Sequence, residues 1–267
     1  MTTTFTSSTT LARTASLKSS IFAFVRFELR RALRNRRYLM FSVAFPVVFY
    51  LLYTTVLQTG GGATLNNTAW AAYFMVSMAA YAALGASLAG SRVIASERAG
   101  GWTRQLRAMP MAPSVYVLAK LVVSLVTSVP AMLLVMLVGV LANGVSLPLT
   151  TWLELVGALV VGSLPFAALG ILLGYLFDGD GVQGAFMVTY FSLAILGGLW
   201  TPVSALPPIL VTIAHVLPSF HFGNLGWEIL AGRGIDPVDI GVLLVYGIVI
   251  AALVGLRYRT DEQLGRG

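Results

Sequence analysis

Cysteine is absent from all 267 residues, which excludes disulfides, thiolate metal sites and a cysteine nucleophile. Lysine is nearly absent too: Lys18 and Lys120 are the only two. A phosphate-binding loop needs Gly-x-x-x-x-Gly-Lys-Ser/Thr, so that backbone amides and one lysine hold phosphate, and neither lysine follows that pattern. The chain therefore binds no ATP in that manner. Two histidines, His215 and His221, do not make a metal site by themselves. Charge is scarce at 10% of residues, against about a quarter in an ordinary soluble domain. Hydrophobic residues make up 57%, and they fall in long runs, so the chain belongs in a bilayer.

The same scarcity narrows the chemistry. Intramembrane proteolysis needs a nucleophile beside a base, or two facing aspartates, and no such pair is visible. Ser87 lies in a small-residue run, GASLAG, of the kind that packs helices together. Asp178 and Asp180 fall in FDGDG, where a tight turn by itself calls for Asp and Gly. Glu154 and Glu228 lie near the ends of apolar segments, which argues against a proton-coupled carrier. No internal repeat of the secondary-carrier kind is present. No metal site and no catalytic residue is expected.

A spanning helix takes about 20 mostly apolar residues to cross ~30 Å of hydrocarbon. Six runs qualify: 39–57, 69–93, 115–141, 152–176, 183–200 and 240–256. They are continuous rather than alternating, which fits helices and not a barrel. The expected fold is an all-α integral membrane protein with six transmembrane helices. Residues 1–38 hold eight Lys and Arg, 91–120 hold five and the tail after Leu256 holds three, while 58–68 and 142–151 hold none. Basic residues stay inside, so both termini and residues 91–120 are expected in the cytoplasm. The net charge of +7 thus reads as a membrane-orientation signal, with no nucleic-acid partner implied. Residues 206–230 are too broken to count as a seventh span. Pro207, Pro208 and Pro218 bracket a nine-residue apolar piece, 209–217, which reaches only ~14 Å as a helix. A short outer re-entrant region between spans five and six is the expectation.

Residues 1–20 read as a disordered cytoplasmic tail. Over 21–38, Phe22, Val25, Leu29 and Leu33 form one helical stripe and Arg26, Arg30, Arg34 and Arg37 another, as suits an amphipathic helix at the headgroups. A bare topology signal gives the same pattern. Two aromatic faces stand out, Phe74, Ser77 and Tyr81 in the second span and Phe186, Tyr190 and Leu193 in the fifth, with Thr189 nearby. They are candidate lining for a cavity that takes an amphiphile, or ordinary packing. Gly170 and Gly174 form a GxxxG pair. In 96–110, Trp102, Leu106 and Met109 share one helical face and Arg104 and Arg107 a neighbouring one, entered through Gly100 and Gly101 and closed by Pro110 and Pro113. Aromatic and arginine residues together are what a protein partner grips. A solvated loop with retention charges is the bland alternative.

The stretch ASERAGGWTRQLRAMPMAPSVYVLAK resembles the linker between the second and third spans of ABC-2 type transporter permeases. In that family a Glu, a Gly, a short apolar-basic helix, a Pro and a Lys entering the third span recur in this order. The run from LGILLGYLFDGDG to LPSFHF is similar to the family's Gly-rich fourth span, fifth span and outer dipping helix. The family has Gly followed directly by Thr where Trp102 here separates Gly101 from Thr103. The resemblance implies the permease subunit of an ABC exporter, powered by ATP and Mg on two copies of a separate cytoplasmic ATPase. It makes 96–110 the coupling helix, with Glu97, Arg98, Gly101, Trp102, Thr103, Arg104, Leu106 and Arg107 as candidate contacts. It makes 21–38 the connecting helix and implies a second permease chain, identical or related. The cargo expected is amphiphilic, a drug or antibiotic ahead of a lipid or polysaccharide. The alternative is a membrane enzyme or scaffold outside that family.

Overall fold

The structure is a computed structural model, and it describes residues 26, 30, 36–56, 67–101 and 113–263. Among these every regular element is helical. α1 is Arg36–Leu51, continued by a π-helical stretch Leu52–Val56. α2 is Asn67–Leu88 and α3 is Gly90–Ala99, joined through Ala89, whose backbone is itself helical. α4 is Pro113–Asn143, α5 is Leu149–Gly162, α6 is Leu164–Leu176 and α7 is Asp180–Leu196. After a 3₁₀ turn, Val203–Ala205, come α8 (Pro208–Val216), α9 (Pro218–Leu230) and α10 (Pro237–Gln263).

α2 is the central helix, packed by α1, α4, α6 and α9. Its apolar stretch is 94% buried within the chain, against 22% for the last helix, which leaves α10 on the periphery. The sequence permits this placement. Ala71, Ala72, Ala79, Ala80, Ala82, Ala83 and Ala86 keep α2 thin, so neighbours approach from every side. On α6 the two glycines carry the closest approach. A Cβ on Gly170 would stand 2.8 Å from the Leu88 carbonyl oxygen, and one on Gly174 would stand 2.7 Å from that of Ser91. The GxxxG pair is a packing surface, as is Ser87, which is fully buried beside Gly170.

Among the described residues, four helices are long and apolar enough to cross a bilayer: Ala69–Ala99, Tyr116–Asn143, Leu149–Leu176 and Pro237–Arg257. The expectation of six is therefore met only in part. The first and fifth runs appear as shorter apolar helices, Ala44–Thr55 and Asp180–Leu196. Boundaries shift as well. The second run extends from 93 to Ala99, so Ser96–Ala99 is continuous with this helix. The fourth begins at Leu149 and breaks at Ser163, where Pro165 opens α6 and the Ser163 hydroxyl turns back onto the Val160 carbonyl at 2.7 Å. The fifth ends at Leu196, and Gly198 there adopts φ +80.

The proline-bracketed region forms the bent pair expected of it. α8 and α9 meet at Leu217 with an angle of 87°. α8 leaves Ile209 and Val216 largely exposed, whereas α9 is buried among α2, α5 and α10. Gly162 faces Phe222 and Gly226 faces Val76, each with no room for a Cβ. The Tyr246 hydroxyl donates to the Val216 carbonyl at 3.0 Å, so the bend lies beside a point nine residues into α10, about 13 Å from that helix's start.

Candidate functional site

Three polar side chains on α3 connect to three different helices. Glu97 is the first. Its carboxylate is buried and accepts a 2.8 Å bond from the Lys120 ammonium and a 2.7 Å bond from the Tyr116 hydroxyl. Tyr116 and Lys120 are one turn apart on α4, so both meet the same carboxylate. A carboxylate and an ammonium this deep survive only as a hydrogen-bonded pair, since either alone would face several kcal/mol of desolvation.

Arg98 supplies what α6 lacks. The last turn of α6 has no basic residue of its own, and its final carbonyls have no partner within the helix. One Arg98 amino group donates to the carbonyls of Gly174 (3.0 Å) and Tyr175 (3.1 Å) and to the Asp178 carboxylate (2.9 Å). A cation at a helix C-terminus also meets the negative end of the helix dipole. Gly179, at φ +54, then turns the chain into α7. The FDGDG turn thus lies at the same end of the bundle as Arg98, a placement for which it has no Lys or Arg of its own to speak.

Arg92 reaches α7. It donates to the Gln183 side-chain oxygen at 3.2 Å and its guanidinium lies 4.8 Å from the centre of the Phe186 ring. From there the rings form a chain: Phe186 to Tyr190 at 5.5 Å, and Tyr190 to Tyr81 at 4.4 Å, nearly parallel. The Tyr190 hydroxyl donates to the Tyr81 carbonyl at 3.2 Å, and its ring lies over Gly85, where a Cβ would come within 2.7 Å. Deeper along α2, Trp227 of α9 donates to the Ser77 hydroxyl at 3.0 Å, and Phe74 stacks on Tyr53.

At the other end of the bundle a second buried network holds the bent pair. The His221 Nδ1 lies 2.6 Å from the Asp239 carboxylate, and its Nε2 lies 2.9 Å from the His215 carbonyl. Asn224 donates to the other Asp239 oxygen at 2.9 Å. Both ring nitrogens thus lie within hydrogen-bond distance of an oxygen. Glu228 pairs with Arg233, whose guanidinium donates to it at 2.8 Å, and Glu154 is exposed.

The aromatic faces read from sequence are real and meet each other. Phe74, Ser77, Tyr81, Phe186 and Tyr190 are buried, while Thr189 and Leu193 are half-buried. In this conformation their rings pack against one another. Of the expected contact residues, Glu97 and Arg98 turn into the protein, and Gly101, at φ +69, ends the described segment. Trp102, Thr103, Arg104, Leu106 and Arg107 lie outside the described residues, as do Arg34 and the tail 1–20. Arg26 and Arg30 are helical and exposed, and Arg37 falls within α1. Sequence reading missed the Glu97–Lys120–Tyr116, Arg92–Gln183–Phe186 and His221–Asp239–Asn224 groups. The available signal was that each places a polar residue inside or beside an apolar run, where it needs a partner.

Among the described residues no three His, Asp or Glu side chains gather as metal ligands. Among the described residues, a long helical bundle with paired charges at both ends and none across its middle is the make-up of a membrane-embedded protein. The chain belongs to the ABC-2 family of transporter proteins, which it matches over residues 63–256. It is also similar to YvfS of Bacillus subtilis (strain 168), itself assigned only provisionally as a transport permease. The two are 30% identical over 239 residues, covering 89% of this chain and 96% of that protein. Membership implies a membrane-embedded, multi-pass subunit that works with an ABC ATPase, and it sets aside the reading as an unrelated membrane enzyme or scaffold.

Proposed function

We propose that this chain is the permease subunit of an ABC exporter that crosses the cell membrane six times with both termini in the cytoplasm. It moves an amphiphilic compound outward with energy from ATP and Mg bound by two copies of a partner ATPase. A second permease chain, identical or related, completes the pathway. The observation that carries this reading is the first of the four long helices. Its 31 residues, Ala69–Ala99, reach about 46 Å, well beyond the ~30 Å hydrocarbon core. The excess is the charged end, which leads through Gly100 and Gly101 into Trp102–Pro110. In this reading Glu97 and Arg98 brace the coupling segment, and Trp102, Thr103, Arg104, Leu106 and Arg107 make the contacts with the ATPase.

The bent pair dips into the outer leaflet and returns, and the Arg98–Asp178 contact supports a cytoplasmic FDGDG turn. Phe74, Ser77, Tyr81, Phe186, Thr189, Tyr190 and Leu193 line the candidate pathway, closed here by the Tyr81–Tyr190 stack. Rings without formal charge suit an apolar or aromatic cargo, which favours drug or antibiotic efflux over polysaccharide. The test is co-purification of a cytoplasmic ABC ATPase with this chain, followed by Trp102→Asp in reconstituted vesicles. Loss of transport with the fold intact is expected. Recovery of no ATPase, or full transport by the variant, overturns the assignment.

A further inference from the structure

We infer that Arg92 is a positioning residue that ties the first turns of α7 to α3, so that a displacement of α3 reaches the aromatic stack. The inference rests on the coupling reading above and names the route within this chain. α3 has three polar attachments, and they are not equivalent. Glu97 binds α4 and Arg98 binds the end of α6, both of which also pack directly on α2 or α3 along their lengths. α7 packs only lightly on α2 and α3, and its exposed Met187 and Val188 show that much of it faces away from the chain. Near the charged end its attachment to α3 includes the Gln183 hydrogen bond and the Phe186 ring, both made by Arg92.

The geometry of that attachment sets the face α7 presents. Gln183 and Phe186 are three residues apart, on one side of α7, and Tyr190 follows one turn later on the same side. A guanidinium that hydrogen-bonds the first and lies over the ring of the second fixes the rotation of the helix about its axis. That rotation places Tyr190 over Gly85 and parallel to Tyr81. Lysine at 92 would keep a cation over Phe186 but lose the planar group that also reaches Gln183.

The absence of cysteine makes the test direct. Spin labels are placed at Gly157→Cys with either Ser96→Cys or Gly184→Cys, all three exposed positions, with no neighbour within 4 Å of a Cβ at 157 or 184. Distances are measured by pulsed electron resonance in the complex with its ATPase subunit in nanodiscs, with and without ATP, Mg and vanadate. With Arg92 present, both distances shift on trapping. In Arg92→Ala the 96 shift remains and the 184 shift is lost, and Arg92→Lys restores part of it. If Arg92→Ala does not fold, Gln183→Ala with Phe186→Leu makes the same cut on the α7 side. A full 184 shift in either variant overturns the inference while leaving the coupling reading standing. No shift at 96 with Arg92 present overturns the coupling reading and this inference with it.

Discussion

Lys120→Met is the substitution with the clearest expected cost. The side chain it removes is almost wholly buried and donates at 2.8 Å to Glu97, which is equally buried. Methionine fills most of the lysine volume, so little cavity forms, and the loss is electrostatic. Glu97 then keeps the Tyr116 hydroxyl but loses the Lys120 ammonium, and breaking a buried pair from one side costs about 3–5 kcal/mol. Tyr116→Phe removes one hydrogen bond to a charged acceptor and costs less, about 1.5–3 kcal/mol. Glu97→Gln with Lys120→Met removes both ends of this pair. The double variant is expected to be more stable than Lys120→Met alone and to show a coupling of about 2 kcal/mol or more in the mutant cycle. Unfolding of the purified protein in detergent, followed by tryptophan fluorescence against denaturant, measures all four corners. A Lys120→Met protein as stable as its parent, or a coupling near zero, would refute the buried-pair reasoning.

Two further outcomes follow from the packing. Gly174→Leu drives a side chain into the Ser91 carbonyl and Ile94, and is expected to destabilise by about 1–3 kcal/mol, whereas Gly157→Ala, which meets open space, stays within about 0.5 kcal/mol; thermal melts by fluorescence size exclusion compare them. His221→Ala leaves the buried Asp239 with Asn224 but without the ring, and is expected to cost about 1.5–3 kcal/mol and to open the Leu217 bend to protease, with limited proteolysis as the check.

The parts of the fold set by local composition could be read in advance. Pro207, Pro208 and Pro218 forced a break wherever the helix ran, and the 87° bend is that break. Gly170 and Gly174 announced a close approach, and Phe186 and Tyr190 lie on the inward face that helical spacing assigned them. What could not be read depends on pairing across distance. Glu97 and Lys120 are 23 positions apart and Arg92 and Gln183 are 91 apart, and nothing local tells a polar residue which neighbouring helix will neutralise it. The same gap explains Glu97 and Arg98 as expected surface contacts. Beside a basic stretch they read as contacts for a partner, and in the structure the helix continues to Ala99 and turns both inward. It also explains the span count, because helix ends are decided by tertiary packing more than by hydropathy.

Gly100 and Gly101 mark a seam. Before them each ionic side chain of α3 is committed to the membrane body, so exchanging that helix for a relative's would demand compensating changes on α4, α6 and α7 together. At Gly101 the backbone turns left-handed, and a Cβ there would meet nothing within 4 Å. A graft of 102–110 from another permease is therefore the smallest transplant by which this body could be made to answer to a foreign motor.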